Sequence, residues 1–406
     1  MEGGKPLKKT SLLKKWKQLN GSHNTKWSTI ILFLLSSSFA LTDWMFGIFT
    51  FTEYILLIIG VCLFISGNYQ IKAKQLKWFL LIIGIILVNI FVNDLNNGQF
   101  VLKVGLAGLI KVSFYLMVNV GLYNYVMNYG LEEKLLKTIN IVAVIVGIIG
   151  IYITIALYSD GLLPYEFFWT YTRTDVLSYS FNAIENLVRT RSVFSEPSYL
   201  GYYLTIIIGM NLFNKRQIVI PIWMTLFLTL IVILTFSYSS IAVLVLIYLI
   251  HFISLDKIKE FKWVKTYWLY IGTFVAVLFV SKDIIYQTVI KRTIDIINGK
   301  DFSALFRIVK SWDYVNKDHL FMGNGIGHTP SIWNIYAYIL SDLGLIAFIL
   351  VCLFSLYLVL INYKMGILFI VLNFQKGGYL SSAFWIYLLL LLIYVKATKK
   401  TRVNFK

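Results

Sequence analysis

Long apolar stretches separated by short polar connections run along almost the whole chain. Roughly 20 consecutive apolar residues allow a helix to cross the hydrocarbon core of a bilayer. The pattern therefore predicts an all-α polytopic membrane protein with about 12 transmembrane helices, in a single transmembrane domain over residues 1–406. The predicted helices lie at 28–46, 54–67, 76–92, 100–127, 139–158, 197–213, 218–235, 240–254, 263–281, 332–361, 365–374 and 379–395.

Two of these stretches depart from the usual length of a span. Residues 365–374 are short for a transmembrane helix, whereas residues 332–361 are long. We expect the long stretch to begin as an external half-helix and to enter the span proper near Gly344. Twelve spans place both termini on the same side of the membrane.

The composition agrees with a membrane protein. Hydrophobic residues make up 58% of the chain and charged residues 14%, against roughly 25% charged residues in an average soluble protein. So few charges cannot cover the surface of a soluble protein of this size. The two cysteines, Cys62 and Cys352, both lie in apolar stretches, and this excludes a secreted disulfide framework.

The net charge of +18 is explained by membrane topology. Residues 1–26 carry seven Lys, every second connection after them is basic, and the tail at 396–406 adds five cations. The short connections on the other side contain one Lys, Lys376. Because cytoplasmic connections are enriched in Lys and Arg, both termini are predicted to be cytoplasmic in a plasma (inner) membrane. The charge needs no nucleic acid, and residues 1–26 lack the pattern of a cleaved signal.

Two connections are long, 159–196 and 282–331, and both are predicted to be external. Long loops usually carry function. Five of the seven arginines lie in them, whereas the cytoplasmic connections use Lys. Arginine is preferred where a planar fork grips phosphate or carboxylate, so the cluster indicates a site for a lipid phosphate or pyrophosphate. These arginines are Arg173, Arg189, Arg191, Arg292 and Arg307.

An alternative is that these arginines form ion pairs with the acidic residues of the first loop. The loop contains five acidic residues, which are Asp160, Glu166, Asp175, Glu185 and Glu196. Pro197 follows directly and favours the start of a helix. Glu196 is then either a plain helix cap or a functional carboxylate beside Arg189 and Arg191.

The second long loop ends in a glycine-rich run. Gly323, Gly325 and Gly327 allow backbone amides to approach a ligand closely, but the run lacks the strand and helix of a dinucleotide site. His319 and His328 are the external histidines, and their spacing with the nearby Asp residues does not predict a metal site.

Two lysines lie within the fourth apolar stretch, at Lys103 and Lys111. Eight residues of helix rise about 12 Å, which places Lys111 inside the outer half of the bilayer. Snorkelling to the interface explains Lys103 readily. A charged residue at the depth of Lys111 is a candidate substrate contact.

These features resemble the O-antigen polymerase/ligase family, whose Wzy-type polymerases act in capsule, exopolysaccharide and O-antigen synthesis. The matching features are the number of spans, the arginine-rich stretch before Ser195-Glu196-Pro197-Ser198, and Arg307 in the second loop. The glycine run followed by Asn334 and Gly344 matches as well. The ligases carry a His one residue before the position of Asn334, where this chain has Trp333.

The resemblance implies a GT-C-like fold and a metal-independent, inverting glycosyltransferase without a cofactor. The donor is a growing glycan on undecaprenyl pyrophosphate, and the acceptor is a lipid-linked repeat unit. Arg191 and Arg307 would bind the pyrophosphate, with support from Arg189 and further substrate contacts from Lys111, Gly325, Gly327 and Asn334. Glu196 and His328 are equal candidates for the general base. A flippase and a chain-length regulator of the same pathway are the implied partners.

Two other functions are also consistent with these residues. One is ligase-like transfer of a finished glycan, and the other is transport of a lipid-linked oligosaccharide. A transporter would carry charges towards the midplane between two similar halves. This chain has no internal repeat and concentrates its non-cytoplasmic charges in the two long loops.

Overall fold

A computed structural model describes residues 26–159, 162–173, 178–180, 187–252, 286 and 290–397. The predicted helix at 263–281 lies outside these residues. So do most of the predicted cytoplasmic N-terminus and tail, together with parts of both long loops. Helices and strands are numbered below in chain order among the described residues.

Thirteen α-helices occur in the described part of the chain. One begins within or close to each predicted apolar stretch that falls there, and the first is α1, Lys26–Ala40. The next seven are α2 (Phe51–Ile65), α3 (Ala73–Asn96), α4 (Leu102–Tyr129), α5 (Glu132–Tyr158), α6 (Pro197–Phe213), α7 (Ile222–Leu234) and α8 (Tyr238–Phe252). The last five are α9 (Lys291–Ile297), α10 (Phe302–Ile308), α11 (Ile335–Ile361), α12 (Tyr363–Lys376) and α13 (Ser382–Tyr394).

Four of these helices are long and apolar enough to cross a membrane, namely α3, α4, α5 and α11. Helices α1, α2, α7, α8 and α13 are apolar but shorter, with 10–17 residues each. The chain is therefore mostly helical and has the candidate spans of a membrane protein.

Helix α6 forms the centre of the bundle. Its sequence is apolar on every face, which is typical of a helix surrounded by other helices. Residues on all sides of it are buried, including Leu204 and Ile207. Gly201 and Gly209 allow close packing, because a Cβ atom there would overlap the side chains of Ser240 in α8 and Leu368 in α12.

Helix α11 is divided by a kink at Gly344. This residue has φ 79° and ψ −171°, a conformation that side-chain-bearing residues rarely adopt. The carbonyl group of Phe321 lies against its Cα, where a Cβ would clash. The predicted half-helix ending near Gly344 is confirmed as a separate segment of the helix.

The two long loops contain elements that the apolar pattern does not predict. The first has a 3₁₀ turn at Glu166–Trp169, and the second has α9, α10 and a 3₁₀ turn at Lys310–Tyr314. A small hairpin, β1 (Met45–Phe46) with β2 (Phe49–Thr50), lies between α1 and α2. The Met45 amide donates to the Tyr171 carbonyl at 2.7 Å, so the hairpin supports the first loop.

Contacts between helix termini distinguish the two ends of the helical bundle. At one end, Lys376 of α12 contacts Glu196, which precedes α6. At the other end of α6, the Asn362 side chain before α12 donates to the Phe213 carbonyl at 3.1 Å. We call the end that contains Glu196 and Lys376 the site end.

Candidate functional site

Four cations and two carboxylates gather at the site end. We call this group the cationic cluster, and two positive charges are in excess within it. Five separate parts of the chain supply it: the segment before α6, α9, the residue before α10, α10 itself and the end of α12. Its members are Arg189, Glu196, Arg292, Asp301, Arg307 and Lys376.

Glu196 lies at the start of α6, directly before Pro197 as predicted. Its carboxylate pairs with the Lys376 ammonium at 3.1 Å and accepts a hydrogen bond from the Ser198 hydroxyl at 2.8 Å. Burial opposes ionisation, but Lys376, Ser198 and Arg307 together hold the pKa of Glu196 below its ordinary value. Glu196 therefore stays ionised, and while it is paired with Lys376 it is a weak proton acceptor.

Lys376 and Asp301 are the members of the cluster that the sequence-based site prediction missed, and Lys376 is the one that pairs with Glu196. Its side chain is 2% exposed, and its Nζ lies 3.1 Å from the centroid of the Tyr199 ring. A buried ammonium is retained when it has a carboxylate partner and an aromatic face. The signal in the sequence was its position as the one Lys in the short external connections.

Arg307 lies in the last turn of α10. The Asp301 carboxylate caps this helix by accepting from the Ala304 amide at 2.7 Å, and it pairs with Arg292 Nε at 2.7 Å. The Arg307 guanidinium lies 5.5 Å from the centroid of the Trp333 ring. Its Nε is buried and has no hydrogen-bond partner among the described residues.

The electrostatic surroundings of Arg307 favour an anion. Burial and the neighbouring Arg292 lower the pKa of Arg307, whereas Glu196 and Asp301 act in the opposite direction. Burial and Arg292 also lower the pKa of Arg189 to about 10. An anion placed among these guanidinium groups would reduce their mutual repulsion and would accept a hydrogen bond from Arg307 Nε.

Asn334 acts on this site indirectly. Its side chain is fully buried, caps α11 by accepting from the Tyr336 amide at 3.1 Å, and donates to the Arg307 carbonyl at 3.3 Å. Asn334 thus connects the start of α11 to α10. It thereby positions Arg307, whereas the resemblance implied a direct substrate contact.

Arg191 was expected to bind the pyrophosphate, but its side chain is not part of the cationic cluster. It is 2% exposed, and its guanidinium carbon lies 3.4 Å from the centroid of the Trp169 ring. Its Nη1 donates to the Ser178 hydroxyl and to the Ser195 carbonyl, each at 2.8 Å. Arg191 therefore holds the first long loop together. Arg189 is a member of the cationic cluster and donates from Nε to the Thr235 carbonyl at 3.2 Å.

The glycine run also departs from its predicted role as a ligand cradle. The Gly325 amide donates to the Asp342 carbonyl at 3.0 Å, and the Gly327 amide donates to the Asp342 carboxylate at 2.9 Å. The Thr329 amide and the Tyr379 hydroxyl donate to the same carboxylate. The group that these glycine amides bind is a buried aspartate of the chain itself, beside the kink in α11.

His328 has both ring nitrogens occupied. Nε2 accepts from the Val101 amide at 2.8 Å, so Nδ1 carries the proton and donates to the Ile326 carbonyl at 3.0 Å. The ring stacks on Phe100 with centroids 4.4 Å apart. This arrangement leaves no free nitrogen for the predicted base and makes His328 part of the loop's framework.

Lys111 is paired with a residue that sequence analysis did not connect to it. Its ammonium lies 3.0 Å from the Glu53 carboxylate in α2, which also accepts from the Tyr115 hydroxyl at 2.5 Å. This pairing accounts for a charge in an apolar helix. Among the described residues, Lys111 forms its ion pair with Glu53 and with no member of the cationic cluster.

No protein-family model, no curated protein and no solved structure matches the chain at a significant level. The resemblance stated above therefore depends on the quoted residues alone. Among the described residues, no group of three or more His, Cys, Asp or Glu is placed to hold a metal ion. Recognition of a phosphate-like anion is the chemistry that the cationic cluster supports best.

Proposed function

We propose that this protein is a polysaccharide polymerase at the outer face of the plasma membrane. It transfers a growing glycan from undecaprenyl pyrophosphate to a lipid-linked repeat unit. The observation that carries the proposal is the cationic cluster, with its excess of positive charge and the buried Nε of Arg307 that has no partner among the described residues. A pyrophosphate beside apolar helices satisfies both features.

The proposal includes a GT-C-like arrangement of about 12 spans with both termini in the cytoplasm. Contacts at the two ends of α6 support an alternating path of helices. The positive-inside distribution supports a position of the site end outside the cell. Donor and acceptor would therefore meet after both lipid-linked glycans have reached the outer leaflet.

The reaction assigned to the cluster is an inverting transfer. The acceptor hydroxyl attacks the anomeric carbon of the donor sugar, the bond from that carbon to the pyrophosphate oxygen breaks, and undecaprenyl pyrophosphate leaves with the electron pair. Arg189 and Arg307 stabilise the charge that develops on the leaving group. Glu196 takes the acceptor proton once the incoming pyrophosphate draws Lys376 away, since that displacement raises the basicity of the carboxylate.

Deletion of the gene followed by analysis of lipid-linked glycans tests this function. Loss of a polymerase leaves single repeat units on the lipid at the outer face and no long chains. Long chains still attached to the lipid would instead identify a ligase. Single units trapped on the cytoplasmic side would identify a flippase, and either result would overturn the polymerase proposal.

A further inference from the structure

A polar cavity of about 450 Å³ lies at the site end, between the α3–α4 connection and the second long loop. This size falls within the roughly 300–1,000 Å³ typical of small-molecule sites. Four side-chain amides and two imidazoles line it, namely Asn97, Gln99, Asn316, Asn324, His319 and His328. Gln99 is exposed, so the cavity opens to the surface there.

One wall of the cavity is rigid. The Asn324 amide group donates to the Tyr314 carbonyl and to the Ser341 hydroxyl, each at 3.1 Å. His328 is fixed at both ring nitrogens and stacked on Phe100. Such a wall is formed before any ligand arrives, which reduces the entropy lost on binding.

Three other lining groups are available to a ligand. Within the described part of the chain, the Gln99 amide, the Asn316 amide nitrogen and the His319 ring make no hydrogen bonds. An amide offers both donors and acceptors, and so does a neutral imidazole. The lining shown by the structure contains no Lys, Arg, Asp or Glu. The cavity therefore suits a neutral molecule rich in hydroxyl groups.

The cavity and the cationic cluster are joined through one short segment, 307–314. The Ser311 hydroxyl donates to the Arg307 carbonyl at 2.7 Å, and the Tyr314 carbonyl at the end of this segment accepts from Asn324 in the cavity wall. A ligand with an anionic group and a chain of neutral sugars has matching chemistry at both places.

We infer that the amide-lined cavity binds neutral sugar residues of the glycan whose pyrophosphate lies at the cationic cluster. This inference rests on the proposed function. It assigns recognition of the saccharide to Gln99, Asn316 and His319, and recognition of the phosphate to the arginines. The two recognitions are therefore separable by mutation.

The test uses the full-length protein in lipid nanodiscs. The probe is the lipid-free oligosaccharide mixture that mild acid releases from the lipid-linked pool of the host, with binding followed by saturation-transfer NMR. Each of Gln99→Ala, Asn316→Ala and His319→Ala is expected to weaken binding roughly 3- to 10-fold, because each removes hydrogen-bonding capacity. The matched control is Asn128→Ala, an exposed amide that contacts Gln70 and lies outside the cavity.

Inorganic pyrophosphate should leave saccharide binding unchanged, as should Arg307→Lys. The inference is overturned if the wild-type protein does not bind the oligosaccharides, if pyrophosphate displaces them, or if the triple alanine variant binds them as tightly at unchanged thermal stability. The deletion experiment reports separately on polymerisation. Saccharide binding without a polymerisation defect would support the cavity and refute the polymerase, and the reverse pattern would refute only the cavity.

Discussion

The guanidinium of Arg307 is the side chain on which the proposed chemistry depends most directly. Lysine keeps the charge but loses the planar fork, so Arg307→Lys should lower polymer formation roughly 100-fold, as removal of an oxyanion donor does in other enzymes. Membrane-inserted protein should stay at the wild-type level. Polymer length and amount on gels, normalised to protein in the membrane, measure the effect, and exposed Lys300→Ala is the matched control.

Arg191→Lys should behave differently in the same assay. The guanidinium is buried against Trp169 and binds Ser178 and Ser195, so the substitution removes contacts that hold the first loop. We expect a lower melting temperature and less protein in the membrane, with the remaining protein still binding pyrophosphate. Normal stability with lost pyrophosphate affinity would show that Arg191 contacts the substrate after all.

The Glu196–Lys376 pair predicts an acid dependence of stability. The pKa of Glu196 is lowered in the folded protein. The ionised carboxylate therefore contributes fully to the free energy of unfolding above the ordinary Glu pKa of about 4.3. This contribution is lost as the pH falls through the lowered pKa of the folded protein. At pH 7, Glu196→Gln should unfold at a lower temperature than the wild type. On acidification to pH 3, it should lose less thermal stability than the wild type does. Thermal unfolding across this range measures the difference.

The appropriate control for that measurement is Glu133→Gln. Glu133 forms an exposed pair with Lys137 one helical turn away, and such pairs contribute little to stability. Its acid dependence should match the wild type. An unchanged acid dependence in Glu196→Gln would contradict the pairing with Lys376.

Some of the site residues could be predicted from the sequence alone, and others could not. Arg189, Arg307 and Glu196 were predictable as a group, because an arginine preference in predicted external loops is visible in the composition. The pairing of Glu196 with Lys376 was not predictable, since the two residues are 180 positions apart. The interior roles of Arg191 and His328 depend on tertiary partners in the same way.

At the scale of the helices and strands, the apolar helices could be predicted from the sequence, because a helix buried in lipid or in a helical core must be apolar. The apolar pattern does not predict the hairpin Met45–Thr50 or the short helices α9 and α10. These elements are stabilised by tertiary contacts, such as the one between Met45 and Tyr171. The kink in α11 was predictable in position. Its partner, the carbonyl of Phe321, was not.

The kink gives a prediction about stability. Gly344→Ala should destabilise the protein by about 1–3 kcal/mol, because alanine is strained at this positive φ and its Cβ meets the Phe321 carbonyl. The control is Gly84→Ala in the middle of α3, where no atom lies within 4 Å of the added Cβ. That change should be neutral or stabilising by about 0.5–1 kcal/mol. Thermal unfolding of purified protein compares the two, and equal effects would contradict the kink.

For the whole molecule, the proposed orientation can be measured directly. With Cys62 and Cys352 replaced by Ser, a single cysteine introduced by Gln99→Cys or Lys300→Cys should react with a membrane-impermeant maleimide in intact cells. A cysteine introduced by Asn128→Cys should react only after the cells are opened. Reaction of Asn128→Cys from outside would invert the topology and place the cationic cluster in the cytoplasm.

The attachment of the glycine run to Asp342 has a consequence for how the chain is made. Gly327 and Thr329 leave the ribosome before Asp342 does, and Tyr379 follows it by 37 positions. The carboxylate therefore gains its last donor only after residue 379 has been synthesised. Until then the carboxylate has the Gly327 and Thr329 amides as donors but lacks the Tyr379 hydroxyl, so the anchor of the second loop is incomplete. A chain that lacks Tyr379 would therefore keep an incompletely satisfied carboxylate beside the kink in α11, and its second loop would be held less firmly.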